Sequence, residues 1–278
     1  MRKAGQAINY VLRPFGVRLV QIPVNQPISI TDGCPPRLDA DVFGTVVHCL
    51  ISEDIDLVEL IRQRHKTATQ KIVEELERLY FSGDGYLSFR RSLGQFEAVL
   101  ARAAVPRNFR LLDVGCAVGQ LVPFLQEVGF SGLYVGIDIV NVYVASAQRR
   151  FGNPLEQYHF LQGDALKIPF HDGSFDFVYS RSTLVSTYDW EQALQEHLRV
   201  AKKWLLLLQV PFHRGERETI FIMQHSRIHA SLLCSFTREA FLSQLPINAR
   251  IEIRPCGSGF EVVNFGTVEW HDVLVELR

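Results

Sequence analysis

The sequence has almost no net charge, since 29 lysines and arginines oppose 30 aspartates and glutamates among its 278 residues. Without a global positive field there is no electrostatic reason for the chain to attract a polyanion, so we expect no nucleic-acid partner, although a local basic patch would fit this composition. A hydrophobic content of 47% and a charged content of 21% are those of an ordinary globular protein. The composition therefore argues against disordered, collagen-like and coiled-coil chains.

Cysteine is sparse and shows no pairing pattern. The cysteines are Cys34, Cys49, Cys116, Cys234 and Cys256. They are odd in number and include no C-x-x-C pair, so we expect reduced thiols in the cytoplasm and no metal cofactor. His225 and His229 lie four residues apart, a spacing that suits two metal ligands on a helix. No third ligand is evident, so histidines on a helix surface or in a substrate pocket are favoured.

The chain also has no apolar run that approaches the roughly 18 to 20 residues needed to span a bilayer. Residues 1–20, MRKAGQAINYVLRPFGVRLV, mix basic and apolar side chains without the continuous apolar core and cleavage site of a signal peptide. A basic amphipathic helix of this kind is able to lie on an anionic membrane surface. Docking of its apolar face on its own domain or on a partner subunit is the favoured interpretation.

The pattern before residue 108 is mainly helical. Apolar residues recur at helical intervals over residues 55–79, after Ser52 as a helix N-cap, and another helix is predicted over residues 93–105. The intervening FSGDGYLSF is predicted to be a loop, and the proline-rich residues 20–50 a loop or short strands. We therefore expect residues 1–108 to form an N-terminal helical cap and residues 109–278 to form the main domain.

Strand and helix patterns alternate after Pro106. Short apolar runs separated by helix-sized segments predict an α/β, doubly wound fold whose mostly parallel, seven-stranded sheet is covered on both faces. The predicted strands are residues 110–114, 133–138, 158–162, 175–180, 204–210, 250–254 and 272–277. The predicted helices are residues 120–127, 142–150, 190–201 and 237–244.

The stretch LLDVGCAVGQ follows the first of these strands and opens the first helix, where doubly wound sheets bind ligands. Gly115 allows a sharp turn and Gly119 a close approach, since neither has a Cβ. The dinucleotide fingerprint G-x-G-x-x-G does not fit, because Ala117 stands where a middle glycine is needed. The stretch instead resembles motif I of the class I S-adenosylmethionine-dependent methyltransferases, D/E-x-G-x-G-x-G, at Asp113, Gly115 and Gly119. The resemblance implies that the backbone N–H of Cys116 faces the cofactor.

The later strand ends resemble the same family in order. Asp138 closes the second strand, where a carboxylate is able to accept hydrogen bonds from both ribose hydroxyls or to cap the following helix. The resemblance implies the ribose contact, with Ile139 beside it. FLQGDALKIPF implies that Asp164 meets the adenine amino group next to the backbone N–H of Ala165. HDGSFDFVYSRSTL resembles the family's d-x-s-F-D-x-V strand and places Ser180 beside the methionine moiety.

The segment EHLRVAKKW resembles the family's E-x-x-R-V helix, although the customary K-P-G-G turn after it is replaced by AKKW. The resemblance covers residues 106–210 and extends to the two late strands. It implies S-adenosylmethionine as the cofactor and methyl transfer as the activity. Because this methyl donor is already activated, alignment and water exclusion are the main tasks of such a protein.

An oxygen acceptor also requires a base, for which histidine is the usual residue near neutral pH. His213 is the best-placed candidate because it follows the fifth strand, beside Arg214 and Arg217. A solvated loop with an incidental histidine is the alternative. No N/D-P-P-Y/F segment follows the fourth strand, which argues against methylation of nucleic-acid bases. The expected acceptor is therefore a small molecule, a sugar or a lipid-linked compound.

Two other functions stay open on the sequence alone. A methyltransferase-like chain that has lost catalysis would serve as a binding or assembly protein, and Ala117 together with the absence of an evident base fits that interpretation. A nucleotide-dependent oxidoreductase would bind NAD, which the missing G-x-G-x-x-G and the position of Asp164 disfavour.

Overall fold

The computed structural model describes residues 47–50, 70–102, 107–152, 157–225, 230–257, 259–262 and 265–278. The predicted basic helix of residues 1–20 and most of the proline-rich segment lie outside the described residues, as does the predicted helix before Gln70. These expectations stay predictions. None of the described helices is both long and apolar enough to cross a membrane.

Five parallel strands form the centre of the molecule. They are β2 (Leu111–Val114), β3 (Tyr134–Asp138), β4 (Tyr158–Gln162), β5 (Phe175–Arg181) and β6 (Ala201–His213). Their spatial order is β4-β3-β2-β5-β6, so the direction of winding reverses between β2 and β5. All four residues of β2 are buried, as expected for a strand with helices on both faces.

Two antiparallel contacts complete the predicted seven-stranded sheet. β9 (Arg250–Pro255) and β11 (Gly266–Glu276) follow in the chain, and β11 lies between β6 and β9. The order β4-β3-β2-β5-β6-β11-β9 confirms the predicted doubly wound, mostly parallel fold. β6 and β11 are longer than predicted, and their added lengths pair with each other beyond the end of β5.

Four further strands extend this sheet, which has eleven strands in the described part of the chain. They are β1 (Val47–Leu50), β7 (Thr219–His225), β8 (Ala230–Thr237) and β10 (Phe260–Val262). The helical placement of His225 is wrong, because His225 pairs with Ala230 in the β7–β8 ladder; His229 lies outside the described residues. The i, i+4 spacing that suggested a helix is outweighed here by alternating apolar residues in antiparallel strands. The described residues contain no cluster of histidine, cysteine and carboxylate side chains suited to a metal.

Helices cover both faces of the sheet. Those that follow the predicted pattern are α4 (Val122–Glu127), α5 (Asn141–Phe151), α6 (Trp190–Val200) and α7 (Arg238–Ser243). Before β2, the chain forms α1 (Gln70–Phe81), α2 (Gly83–Ser92) and α3 (Gly94–Arg102). The predicted loop at residues 81–89 is therefore wrong. Burial of Phe89 and Leu93 in the core outweighs the weak helix propensity of the glycines in this segment.

The N-terminal helices pack on one face of the sheet, against aromatic side chains of β5. The Phe96 ring of α3 lies 5.3 Å from the Tyr179 ring and 4.9 Å from the Phe177 ring. The Phe89 side chain of α2 belongs to the same hydrophobic core. These contacts place α2 and α3 beside the carboxyl ends of the central strands, where the predicted site lies.

Candidate functional site

The glycine turn after β2 is held by its own backbone and by a crossing side chain. The N–H groups of Gly115 and Cys116 both donate to the carbonyl of Ile137, over 2.8 and 3.0 Å. Gly115 has a φ of 79°, and a Cβ built on it would lie 2.2 Å from Thr183 Oγ1. The turn therefore requires glycine for both its conformation and the close passage of Thr183.

Ala117 keeps the backbone conformation of the glycine that it replaces. Its φ is 44°, in the left-handed region that non-glycine residues seldom adopt. Its N–H donates to Asp138 Oδ2 over 2.9 Å. At the position where motif I has its middle glycine, this chain therefore holds an alanine in a conformation that glycine adopts without a steric cost.

Asp138 ties the glycine turn to the beginning of α5. Its Oδ1 accepts a hydrogen bond from Val140 N–H over 2.9 Å, and its Oδ2 accepts one from Ala117. The N-cap of α5 is Val140, without a side-chain cap, so Asp138 does not occupy the N-cap position itself. Ile139, next to it, is 38% exposed and presents apolar surface at the same edge of the sheet.

Asp164 lies at the end of the neighbouring strand. Its Oδ1 accepts from the N–H of Leu166 over 2.9 Å. Gly163 N–H donates to the Asp138 carbonyl over 3.0 Å, which links the two strand ends. Ala165, partly buried, packs against the second hydrophobic core. The structure thus brings Asp138 and Asp164 to adjacent positions at one edge, as their places at strand ends predict.

Asp113 points into the core. It is 2% exposed, and its Oδ2 accepts a hydrogen bond from the buried Tyr134 hydroxyl over 2.8 Å. Burial raises the pKa of Asp113 to about 7; the charge of Asp138 acts in the same direction and the Tyr134 hydrogen bond opposes it. The geometry suits a residue that holds the strand end in place more than one that contacts a ligand.

Cys116 and Ser180 are also turned inward. Cys116 is fully buried, a Cβ on Gly136 would lie 2.9 Å from its Sγ, and burial raises the pKa of its thiol. The Ser180 hydroxyl donates to the Val114 carbonyl over 2.9 Å. Their side chains therefore support the turn. The implied role of the Cys116 backbone N–H, facing the cofactor, is wrong in this structure, because that N–H donates to the Ile137 carbonyl and ties the turn to the neighbouring strand.

Thr183 is a site residue that the sequence analysis missed. Its hydroxyl also donates to the Val114 carbonyl, over 2.9 Å, while its side chain crosses Gly115. Its position three residues after Ser180 was the only available signal, because the contact depends on the fold of the loop after β5.

Two more residues have a left-handed backbone conformation, and they lie in or just after β5 and β6, the next two strands after β2 in the sheet order. Ser182 (φ 56°) follows β5, and Gln209 (φ 58°) sits in a β-bulge of β6 opposite Asp272. The Ser182 hydroxyl donates to Gln209 Oε1, and Gln209 N–H donates to Asp272 Oδ1 over 3.2 Å. Ala117, Ser182 and Gln209 are the non-glycine residues with positive φ among the described residues. Such strain is typical of functional sites, and here it marks the carboxyl edge of the sheet.

His213 occupies a buried position at the end of β6. Its Nδ1 lies 2.9 Å from the Ser235 hydroxyl and its Nε2 lies 2.9 Å from the Arg217 carbonyl. A carbonyl only accepts, so Nε2 carries the proton; Nδ1 faces the Ser235 hydroxyl, which also lies 3.2 Å from the Pro211 carbonyl. Burial lowers the pKa of His213. Both ring nitrogens are thus engaged, a geometry that does not present His213 as a base; that role stays a prediction.

The donor set at this edge suits a ligand with hydroxyl and amino groups more than one with phosphates. The N–H groups of Gly115, Cys116 and Ala117 all have partners within the protein, so the turn offers no cluster of N–H donors to a pyrophosphate. The carboxylates of Asp138 and Asp164 would repel one. They are able to accept hydrogen bonds from ribose hydroxyls and an adenine amino group, so the residues present fit the adenosyl part of S-adenosylmethionine.

Comparison with protein families gives a match consistent with this geometry. A family model described as a methyltransferase domain matches residues 112–205. The match begins in β2 and ends in β6, so it includes the strand ends that carry Asp138 and Asp164.

Curated proteins named as methyltransferases are similar to part of this chain. The chain is 30% identical over 144 residues to the demethylmenaquinone methyltransferase of Geobacillus kaustophilus, covering 51% of this chain and 62% of that protein. It is 33% identical over 119 residues to a sterol 24-C-methyltransferase of Gibberella zeae, covering 41% of this chain and 31% of that protein. The chain thus spans about three fifths of the length of the demethylmenaquinone methyltransferases that it matches.

Solved structures share the fold. The magnesium protoporphyrin IX methyltransferase of Synechocystis, solved with bound S-adenosylhomocysteine, is 15% identical, with a TM-score of 0.57 over 78% of this chain and 99% of that one. The PH0226 protein of Pyrococcus horikoshii is 16% identical, with a TM-score of 0.54 over 76% of this chain and 100% of that one. At this level of identity the likeness concerns the arrangement of the sheet and helices.

Proposed function

Because the chain belongs to the class I S-adenosylmethionine-dependent methyltransferase superfamily, we propose that it transfers a methyl group from S-adenosylmethionine, the cofactor of that superfamily, to a small-molecule acceptor. The observation that carries the proposal is the hydrogen bond from Ala117 N–H to Asp138 Oδ2. It couples the glycine turn to the carboxylate proposed to bind the ribose, so both parts of the cofactor site are oriented together.

The proposed cofactor contacts follow the strand ends. Asp138 binds the ribose hydroxyls, Asp164 and the N–H of Ala165 bind the adenine edge, and Ile139 packs against the base. The methionine part lies over the turn from Gly115 to Gly119. Ser180, Cys116 and Asp113 hold this turn from below through the contacts described above.

The cofactor supplies a methyl carbon bound to a positively charged sulfur, so the protein's residues mainly bind, orient and exclude water. An electron pair of the acceptor forms the new bond to the methyl carbon, and the pair of the broken carbon–sulfur bond remains on sulfur. A protonated acceptor must lose its proton to a base or to solvent. His213 as that base stays a sequence prediction, and both of its ring nitrogens lie within hydrogen-bond distance of protein groups.

For the acceptor, we propose a ring compound of the quinone type in its reduced, phenolic form. The names of the curated relatives support this class, since they act on a demethylmenaquinone and on a sterol. The end of β6 and the whole of β11 lie beyond the methyltransferase family match, and we propose that they form the acceptor side of the site. The chemical class of the acceptor is therefore tested by the turnover experiment described below.

Ligand binding tests the cofactor proposal. S-adenosylmethionine and S-adenosylhomocysteine are expected to raise the melting temperature, and a ligand at 100 times its Kd stabilises by about 2.7 kcal/mol. NAD is expected to have no effect. Calorimetry should show that Asp138→Ala loses S-adenosylhomocysteine affinity, whereas Glu239→Ala, at an exposed position on α7, keeps it. Stabilisation by NAD alone would contradict the proposal.

Turnover separates an enzyme from a methyltransferase-like binding protein. With S-adenosylmethionine labelled in its methyl group, a panel of reduced naphthoquinones, sterols and sugars is expected to yield a labelled product in the naphthoquinone group. Binding of the cofactor without transfer to any compound of a broad panel would favour the inactive binding protein.

A further inference from the structure

Arg181 is an arginine without a hydrogen-bond acceptor among the described residues. It ends β5, and its Nε is fully buried with no hydrogen-bond partner. None of the ion pairs found in the described part of the chain includes its guanidinium. A buried N–H group is unfavourable unless it finds a hydrogen-bond acceptor. The guanidinium of arginine has five N–H donors in all.

An aromatic ring holds the guanidinium in place. Arg181 Cζ lies 5.1 Å from the centre of the Phe89 ring of α2. A cation–π contact of this type holds one flat face of the guanidinium and leaves its N–H groups directed outward in the plane. Arg181 is therefore positioned before any ligand arrives.

The strand register locates Arg181 at the site. β5 pairs with β2 up to Ser180 and Val114, so Arg181 comes level with the beginning of the glycine turn. On the other side it pairs with Leu208 of β6, immediately before the bulge at Gln209. Arg181 thus ends the central strand at the edge where the cofactor and the acceptor must meet.

The charge of Arg181 acts on three titratable neighbours. Burial raises the pKa of Tyr179, of Asp272 and of Cys256, and the positive charge of Arg181 opposes this rise in each of them. Asp272 belongs to β11 and accepts a hydrogen bond from Gln209 of β6, next to Leu208, which pairs with Arg181. These neighbours of Arg181 therefore belong to the β6 and β11 side of the strand end.

Asp272 does not satisfy Arg181. It accepts hydrogen bonds from Gln209 N–H and from the Cys256 thiol, and burial is the main reason why its pKa is raised. No ion pair joins Asp272 to Arg181 within the described residues. The described residues therefore provide no ion-pair partner for Arg181 and no hydrogen-bond acceptor for its buried Nε.

We propose that Arg181 binds a negatively charged group of the methyl acceptor, a carboxylate or an ionised phenol. The proposal rests on the proposed function. A guanidinium binds a carboxylate through two parallel hydrogen bonds, and it stabilises an ionised phenol next to it. For a phenol, the proton passes to solvent when the acceptor ionises. The oxygen then bonds to the methyl carbon while the carbon–sulfur bond breaks, and the negative charge of the acceptor and the positive charge of the sulfur disappear together.

The proposal also accounts for the buried, fully engaged His213. An acceptor that binds as an anion needs no histidine to remove its proton during transfer. Arg181 would then set the charge of the acceptor, while Phe89 sets the orientation of Arg181.

A matched pair of ring compounds tests the proposal: 2-naphthoate and its neutral counterpart 2-naphthamide. With the full chain and saturating S-adenosylhomocysteine, we expect 2-naphthoate to bind at least about tenfold more tightly than the amide, as charge-assisted hydrogen bonds suggest. Arg181→Gln should abolish this preference and Arg181→Lys should retain part of it. Arg149→Gln, an exposed arginine on α5, should leave it unchanged. Phe89→Leu provides a second variant that should weaken it, in case Arg181→Gln does not fold.

The cofactor carboxylate is the competing anion. Affinities for S-adenosylhomocysteine and for 5′-methylthioadenosine, which lacks the amino-acid tail, should both be nearly unchanged in Arg181→Gln. Loss of affinity for the former alone would overturn the proposal and assign Arg181 to the cofactor. A wild-type protein that binds neither naphthyl compound, or both equally, would also overturn it. The proposed function fails separately, if the wild type does not bind S-adenosylhomocysteine at all.

Discussion

The N–H of Ala117 and the carboxylate of Asp138 meet over 2.9 Å, although the two residues follow different strands of the sheet. The bond requires Ala117 to adopt a φ of 44°, which an alanine side chain disfavours. The contact that orients the carboxylate proposed to bind ribose thus also holds Ala117 in a strained backbone conformation.

Restoring the glycine of motif I should relieve this strain. Ala117→Gly is expected to raise the free energy of unfolding by up to about 1 kcal/mol, because removing the left-handed strain outweighs the added entropy of the unfolded chain. Urea unfolding measures the change. Ala145→Gly, in the middle of α5, is the matched control and should lower stability by about 0.5–1 kcal/mol. Equal destabilisation by both substitutions would show that Ala117 is not strained.

A Cβ at position 115 would clash with Thr183, so a second substitution at Thr183 should restore part of the lost stability. Gly115→Ala should lower both stability and S-adenosylhomocysteine affinity, because its Cβ would lie 2.2 Å from Thr183 Oγ1 and its φ is positive. Adding Thr183→Ala removes the steric part, so the double variant should be more stable than additivity predicts. Gly94→Ala, where a Cβ meets nothing within 4 Å, should be tolerated. Strictly additive losses would contradict the predicted contact.

Asp113 should make stability depend on pH. Its pKa is raised from 3.8 to about 7 in the folded protein, so the folded state binds more protons than the unfolded state between these values. Its contribution to stability is therefore present at low pH and is lost as pH rises toward about 7. Asp113→Asn cannot ionise, so the stability of the variant relative to wild type should increase from pH 4 to pH 8. Urea unfolding across this range would refute the assignment if the difference stayed constant.

Stability and kcat measured on His213 variants should distinguish a structural role of this histidine from a catalytic one. Its lowered pKa means that the unfolded state takes up the proton first, so its contribution to stability is present at neutral pH and declines as pH falls below about 6.5. We expect His213→Gln to lower the free energy of unfolding and to reduce kcat by less than about tenfold. Ser235→Ala, which removes the hydroxyl bonded to Nδ1, should act similarly. A base would show the opposite result, with kcat falling at least about a hundredfold and stability unchanged.

Much of the fold could be predicted from local patterns. Buried parallel strands are short, continuous apolar runs, so β2 through β5 and the helices between them were evident in the sequence. β7 and β8 were not, because their pairing is non-local and the spacing of His225 and His229 also suits a helix. α2 was missed because Phe89 gains more from burial than its glycine-rich surroundings lose in helix propensity.

For the site, the sequence by itself determined which residue types stand at the ends of β2, β3 and β4: two glycines, Asp138 and Asp164. Local chemistry and spacing suffice there, because parallel strands deliver their carboxyl ends to one edge. Only the tertiary structure decided which side chains face that edge. It turned Asp113 toward Tyr134, bound both nitrogens of His213, and left Arg181 on the Phe89 ring without an acceptor among the described residues. These outcomes depend on strand register, on a bulge at Gln209 and on helix packing, and no residue's own neighbours in the chain specify them.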